Sequence, residues 1–354
     1  MAKFDCDVHP YAGEMSALLP YMPTAWARQL GEVALSRSGR PTNRYQNPSG
    51  GLRADAVPPS GGIPGSDAAY AARDLLDRFD VEVANLIPME GCAMTGWTDP
   101  DACAVLASAV NDYMLEHWVG LDDRFKLSAV ISTHDAHAGA AEIRRLAGNP
   151  GVIGALLPLL DKPMGDRHHH PIYEAAQECG MPIVLHPTGA EGTFTGVPAL
   201  AGGIPRTYPA WHALLPQIGQ SHLVSLAFDG VFERFPRLRV LFTEFGFSWV
   251  VTTMWRMDKE WQNFRYEVPW IKRPPSEYVL ESVRFATQPM DEPAKRDDLW
   301  KLMGLNEAAS MLVFSSDYPH YDNDDPITVG KHIPDAVKAA FDDNAAALFG
   351  GRLR

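Results

Sequence analysis

Four short apolar runs in this 354-residue chain each end in a side chain able to bind a metal or move a proton. The first is Phe4-Asp5-Cys6-Asp7-Val8-His9, closed by Pro10. Alternate residues of a strand point the same way, so Asp5, Asp7 and His9 share one face. The second run, Pro182-Ile183-Val184-Leu185, delivers His186. The third, Arg239-Val240-Leu241-Phe242-Thr243, delivers Glu244. The fourth, Met311 to Ser316, delivers Asp317, with Tyr318-Pro319-His320 behind it. Each has a plain structural reading: a polar strand end before proline, a histidine bonded to backbone, an aspartate opening a turn. Four strand ends of the same kind weaken those readings together. Asp7, His9, His186 and Asp317 make a mixed nitrogen and oxygen donor set. It suits one divalent ion, Zn²⁺ first, with Mn²⁺ or Fe²⁺ as alternatives, rather than a thiolate-seeking metal. Such a site keeps a position open for water or a substrate oxygen.

Other residues carry weaker signals. His320, three residues after Asp317, reads as a substrate contact or as support for the carboxylate. Trp211 and His212 follow His186 in a long segment and could meet a planar substrate. Arg73, and Arg37, Arg40, Arg44 and Arg53 in a loop-like segment, could grip a substrate carboxylate, with solvated charge as the plainer alternative. His168-His169-His170 reads as a surface triplet, with His170 able to reach the site. His134 and His137 flank a helix start and read as capping or solvated, and His222 reads as structural.

The elements needed to hold these residues follow from apolar periodicity. Short apolar runs at Phe4–Val8, Val83–Ile87, Lys126–Ile131, Val152–Leu157, Pro182–Leu185, Arg239–Phe242, Val283–Ala286 and Leu312–Ser315 read as buried parallel strands. Between them, 3.6-residue spacing predicts helices at Ser66–Phe79, Asp101–Trp118, His134–Ala147, Pro171–Cys179, Phe247–Phe264 and Ala294–Met303, with Ser66 and Asp99 as caps. Eight alternations point to an α/β fold, a single (β/α)8 TIM-barrel domain over residues 1–354, with a doubly wound open sheet as the runner-up. The segment 31–65, rich in Gly, Pro, Ser and Arg, reads as a long insertion after the first strand. In a barrel it falls on the face where active sites are built, so it is expected to be an active-site loop.

Composition narrows the function. Hydrophobic residues form 46% of the chain and charged ones 21%, enough for a large core. The 44 acidic residues outnumber the 31 basic ones, for a net charge of −13. With no Lys/Arg cluster, that disfavours nucleic acid and anionic membranes as partners. The four cysteines, Cys6, Cys92, Cys103 and Cys179, lie far apart without C-x-x-C spacing, so a reducing, cytoplasmic setting is expected. No apolar run is long enough to span a membrane, and the first residues lack the apolar core of a signal peptide. Neither G-x-G-x-x-G nor a phosphate-binding G-x-x-x-x-G-K-[ST] occurs. The expected partner is a small molecule.

The chain resembles the amidohydrolase superfamily, in the branch of aminocarboxymuconate-semialdehyde and γ-resorcylate decarboxylases. The motifs that carry the resemblance are Asp7-Val8-His9, Pro182-Ile-Val-Leu-His186, Gly230-Val-Phe-Glu-Arg-Phe-Pro-Arg-Leu-Arg-Val240 and Ser315-Ser-Asp-Tyr-Pro-His320. It runs from Asp5 to Asn344-Ala-Ala-Ala-Leu-Phe349. The resemblance implies a TIM barrel with one divalent metal and a homodimer. It implies Asp7 and His9 as the first-strand pair, His186 as the fifth-strand ligand, and Asp317 as the eighth-strand ligand and proton shuttle. The sixth-strand position, a histidine in the family, is Glu244 here, a departure that a carboxylate could fill as base, ligand or orienting group. The implied reaction is non-oxidative decarboxylation of a small aromatic or enol-type carboxylate. Metal-dependent hydrolysis of an amide, ester or lactone is the alternative, and a catalytically dead metal-binding barrel is the non-enzyme alternative.

Overall fold

The computed structural model describes residues 2–33, 51–189, 191–192 and 196–353. Eight parallel strands pair in sequence order: β1 (Phe4–Val8), β2 (Val83–Leu86), β3 (Phe125–Val130), β4 (Val152–Leu157), β5 (Ile183–Leu185), β6 (Val240–Phe242), β7 (Val283–Ala286) and β8 (Leu312–Val313). All eight expected runs are strands, with ends shifted by a residue or two. The first and last strands then meet. Cys6 N donates to Phe314 O (3.0 Å), Asp317 N to Asp7 O (3.0 Å) and His9 N to Tyr318 O (2.7 Å). These bonds close the sheet into a (β/α)8 barrel and remove the open doubly wound alternative. They also stitch the two metal-competent strand ends, Asp7–His9 and Asp317, to each other through their backbones.

The strands are apolar because both faces are covered. All six residues of β4 are buried, as are the three of β5 and the three of β6. Their outer faces pack against helices that return the chain to the base of the barrel. Expected helices appear over Pro100–Met114, Ala136–Leu146, His170–Cys179, Trp249–Phe264 and Asp297–Met303. Further helices over Thr24–Val33, Leu215–Phe228, Pro275–Ser282 and Asp335–Phe349 complete the described ring. Asp99 caps as expected, accepting from Asp101 N and Ala102 N. Ser66 does not. Its Oγ donates to Ile63 O (2.7 Å) within the preceding turn. The cap passes to Asp67, whose carboxylate accepts from Tyr70 N (2.8 Å). At the base, the Arg352 guanidinium donates to the carbonyls of Ala147, Val152 and Cys179. It thereby satisfies carbonyls left over at two helix ends.

The segment after β1 is only partly described. Residues 31–33 belong to the helix Thr24–Val33. Residues 34–50, with Arg37, Arg40 and Arg44, lie outside the described residues. From Gly51 the chain packs on the loop after β8. Tyr321 N donates to Gly51 O (3.0 Å) and Arg53 N to Pro319 O (2.9 Å). Leu52 is buried and bridges to His320. Gly65 fixes the far end. It sits at φ +79°, and a Cβ there would lie 2.7 Å from the His9 carbonyl oxygen. Only glycine allows this approach, so the segment's close lies directly over the end of β1.

Candidate metal centre

β1 carries its charged residues on one interior face, but at two depths. Asp5 lies deeper, accepting from Ser316 N (2.9 Å) and Asp7 N (3.3 Å). Burial raises its carboxyl to about 7, against those hydrogen bonds. Asp5 therefore braces β8 against β1, while Asp7 stands above it at the mouth.

At that mouth, ligand atoms of Asp7, His9, His186 and Asp317 all lie within 4.8 Å of one another. All four residues are fully buried. His9 Nδ1 donates to the Ile87 carbonyl (2.9 Å) and His186 Nδ1 to the Pro187 carbonyl. Each ring is thus fixed with its Nε2 turned inward, the arrangement that orients metal-binding imidazoles elsewhere. Asp7 Oδ1 and Oδ2, His9 Nε2, His186 Nε2 and Asp317 Oδ2 have no hydrogen-bond partner. His9 Nε2 lies 3.1 Å from Asp7 Oδ1 and 2.9 Å from Asp317 Oδ1. With Nδ1–H already used, an imidazole lone pair facing two carboxylates needs a cation between them. In the bare protein that cation is a proton. Burial pulls the His9 imidazole down, but the neighbouring Asp7 and Asp317 carboxylates outweigh it and push it up to about 10. His186 behaves alike: burial lowers it, and the Asp7 and Glu244 charges lift it well above the usual imidazole range. A divalent ion replaces those protons with one charge held by two nitrogens and two oxygens, so the donor set fits such an ion.

Around this centre stand two carboxylate–imidazole pairs. Asp317 Oδ1 accepts from His320 Nδ1 (2.6 Å), and His320 Nε2 lies 3.1 Å from the Tyr11 hydroxyl. The His320 ring stacks on His9, centroids 4.4 Å apart. On the other side, Glu244 Oε2 lies 2.9 Å from His186 Nε2, and Oε1 accepts from His212 Nε2 (3.3 Å). His212 Nε2 is also 3.7 Å from Asp322 Oδ2, and its ring stacks on Tyr208 at 5.5 Å. Both carboxylates adopt left-handed backbone, φ 61° at Asp317 and φ 59° at Glu244. Non-glycine residues enter that region at a cost, and such strain concentrates where a side chain must be aimed.

Residues 4–351 match the sequence model of the Amidohydrolase family. The chain belongs to the amidohydrolase family. This amidohydrolase is 33% identical to Decarboxylase orsB of Emericella nidulans over 159 residues, 43% of the chain and 46% of that relative. It thus spans less than half of that protein's length. It is 23% identical over 272 residues to γ-resorcylate decarboxylase of Rhodococcus jostii, covering 69% of the chain and 75% of the relative. In structure it resembles the amidohydrolase map2389c of Mycobacterium avium subsp. paratuberculosis, with TM-score 0.72 at 20% identity over 98% and 97% of the two chains. A dihydroxybenzoic acid decarboxylase of Polaromonas sp. JS666, solved with manganese and 2-nitroresorcinol, gives TM-score 0.66 at 18% identity over 98% and 96%.

The amidohydrolase's remaining candidates divide by position. Trp211 is buried, and its indole donates to the Glu191 carbonyl (3.0 Å), so it props the loop after β5. Arg73 is exposed on the helical turn after Asp67, and among the described residues it takes part in none of the ion pairs of the centre. Arg53 grips Asp55 through two nitrogens, at 3.0 and 2.9 Å. The triplet His168–His170 is not a surface feature. His168 Nε2 donates to the Thr133 carbonyl (2.7 Å), and His169 is fully buried, its imidazole held down to about 3 chiefly by burial. His134 does not cap its helix, because Asp135 takes that place. His222 is structural as expected, accepting from Met164 N (3.3 Å). The sequence reading missed Tyr11, Tyr208 and Asp322. Tyr11 lies beyond the strand-ending Pro10, where alternation no longer tells facing. Among the described residues no helix is long and apolar enough to cross a membrane.

Proposed function

We propose that this amidohydrolase removes CO₂ from a small aromatic carboxylate, using one divalent ion held by Asp7, His9, His186 and Asp317. The observation that carries the reading is the set of five unpartnered, buried donor atoms converging at the C-terminal mouth of the barrel, where such folds place their chemistry. The names of the relatives, Decarboxylase orsB and γ-resorcylate decarboxylase among them, favour CO₂ release over hydrolysis. Zn²⁺ is the proposed ion, with Mn²⁺, present in the Polaromonas structure, as the alternative. The accompanying proposal of a cytoplasmic homodimer rests on the family resemblance and on the four cysteines standing as free thiols.

The ion supplies a Lewis acid for a substrate oxygen beside the scissile carboxylate. Asp317 relays the proton: burial raises its carboxyl, but the His320 and His9 imidazoles outweigh that and hold it as a carboxylate, so the proton comes to it from His320 and goes on to the ring carbon. His320 and His9 hold its Oδ1, and Oδ2 faces the centre. In the step, a C–H bond forms at the ring carbon that bears the carboxylate. The C–C bond to that carboxylate then breaks, its electron pair returns to the ring, and CO₂ leaves. His320, 15% exposed at its side chain, reloads Asp317 from solvent. Glu244 orients the bound acid from the β6 side. The segment 51–65, seated on the loop after β8, closes that side of the mouth as the active-site insertion.

The test is a screen of hydroxylated benzoates, with CO₂ and acid release scored separately. CO₂ release that stops on chelation and returns with added metal is expected. Acid release from esters, amides or lactones without CO₂ would move the protein to the hydrolase reading.

A further inference from the structure

The opposite end of the barrel carries an unmatched positive charge. Leu241 of β6 pairs in register with Arg284 of β7. Arg239, two residues before Leu241, still belongs to the ladder, its carbonyl accepting from Ile183 N (2.8 Å). Arg239, Leu241 and Arg284 therefore share one face. The other face belongs to Phe242 and Phe285, which stack at 5.3 Å, with Phe285 against Trp249 of the helix Trp249–Phe264 at 5.5 Å. The helices cover the outside, so the two arginines stand on the interior side, at the N-terminal base. Lys126 joins them from β3, because its neighbour Phe125 turns outward onto Trp118 (5.3 Å).

Each guanidinium folds down onto carbonyls of its own chain through Nη1. Arg239 Nη1 donates to Pro236 O (3.1 Å) and Leu238 O (2.9 Å), and Arg284 Nη1 to Leu280 O (3.1 Å) and Val283 O (2.8 Å). Carbonyl capping accounts for Nη1 alone. The edge made by Nε and Nη2 is the one that grips an oxyanion through two parallel bonds. Arg284 Nε is buried and has no partner. No carboxylate offsets the charge. Among the described residues Lys126, Arg239 and Arg284 take part in no ion pair. Residues 34–50, 190 and 193–195 contain no aspartate or glutamate. Burial first, then the like charge of Arg239, lowers the Arg284 guanidinium. A half-buried cation beside a second cation calls for a counter-ion.

We propose that the base of the barrel binds a small oxyanion, a phosphate or a carboxylate, on the Nε–Nη2 edges of Arg284 and Arg239. Both ligands offer paired oxygens to a guanidinium fork, which chloride does not. Lys126 adds charge from across the barrel.

The experiment titrates the metal-loaded protein with inorganic phosphate and, separately, with acetate, each against chloride at matched ionic strength. Calorimetry gives the affinity, and the thermal midpoint gives the stabilisation that binding to the folded state brings. Saturable binding of phosphate or acetate with a raised Tm is expected, and the tighter of the two identifies the source. Arg284→Gln is expected to weaken Kd by about tenfold or more, as loss of a charged hydrogen-bond partner does. Arg284→Lys, which keeps the charge and loses the fork, falls between. The metal ion at the mouth is a second place for an oxyanion, so the titration is repeated in His9→Ala. Binding that survives His9→Ala and weakens in Arg284→Gln supports the site. Binding lost in His9→Ala, binding that both Arg284 variants leave intact, no saturable binding, or a Tm rise that chloride matches overturns it. If Arg284→Gln does not fold, Arg239→Gln and Arg284→Lys carry the same comparison.

Discussion

The ends of β8 and β6 solve one problem in two ways. Each presents a carboxylate in left-handed backbone, Asp317 and Glu244, and each carboxylate links an inner imidazole to an outer one. At β8 the link is local and rigid. Asp317 is fully buried, its N–H is tied to Asp7 O, and its outer partner His320 is three residues away, with its own N–H bonded to Asp317 O (2.8 Å). At β6 the link is long-range and looser. Glu244 is 12% exposed at its side chain, and His212 comes from the loop after β5, 32 residues earlier in the chain. The rigid end suits proton transfer, where the reacting groups must be held to a fraction of an ångström. The looser end suits recognition, because its contacts vary with the loop rather than with the barrel.

That difference can be broken or sharpened by substitution. The largest effect belongs to the shared inner pair. His9→Ala and His186→Ala each remove a nitrogen donor and are expected to strip the metal and abolish turnover while the barrel still folds. Elemental analysis with circular dichroism checks this, and a full metal equivalent in both variants would refute the site. Next comes Asp317→Asn, expected to keep metal and lose about 10²–10⁴-fold in kcat, the range for removing a positioned proton donor. Near-normal kcat there would end the contrast between the two ends. The outer imidazoles should then separate: His320→Asn lowers kcat by about 10–100-fold, whereas His212→Asn acts mainly on KM. Equal effects on the same parameter would show that the ends do one job.

The smallest effect is a control away from both. His169 is held neutral, down to about 3, by burial and then by His168 and His222. The unfolded chain binds a proton there near 6.5, which the folded one refuses until about 3. The unfolded state therefore holds more protons in that window, and stability falls as pH drops from 6.5 toward 3. The slope from one such group is at most about 1.4 kcal/mol per pH unit. His169→Gln should flatten the pH dependence of urea unfolding by part of that amount. An unchanged slope would mean that His169 is protonated in the fold.

The two ends also differ in how far the sequence reveals them. Asp317 and His320 sit within six residues, behind an apolar run, so their meeting follows from strand and turn alone. The four inner donors were legible for the same reason, each lying at the end of a buried run. The partnership of Glu244 with His212 was not, because no periodicity links a loop after one strand to the end of the next. Asp322 and Tyr11 escaped for similar reasons, lying in turns where alternation no longer reports facing. The barrel itself was legible, since all eight strands are short continuous apolar runs. Its closure, expected from the count of eight alternations, is made by backbone bonds from Cys6, Asp317 and His9 that depend on no side-chain pattern. The His168–His170 triplet was misjudged because polarity suggests exposure, while the Pro171 helix start and the Thr133 carbonyl draw the triplet inward.

The central claim is one metal ion at the Asp7–His9–His186–Asp317 centre serving an aromatic decarboxylation. Its most direct test is to strip the protein with a chelator, restore Zn²⁺ or Mn²⁺ stepwise, and follow CO₂ release from a dihydroxybenzoate. The account predicts release that climbs from baseline to a plateau at one ion per chain, and no recovery in His9→Ala. Release that survives chelation, or that His9→Ala restores in full, contradicts it.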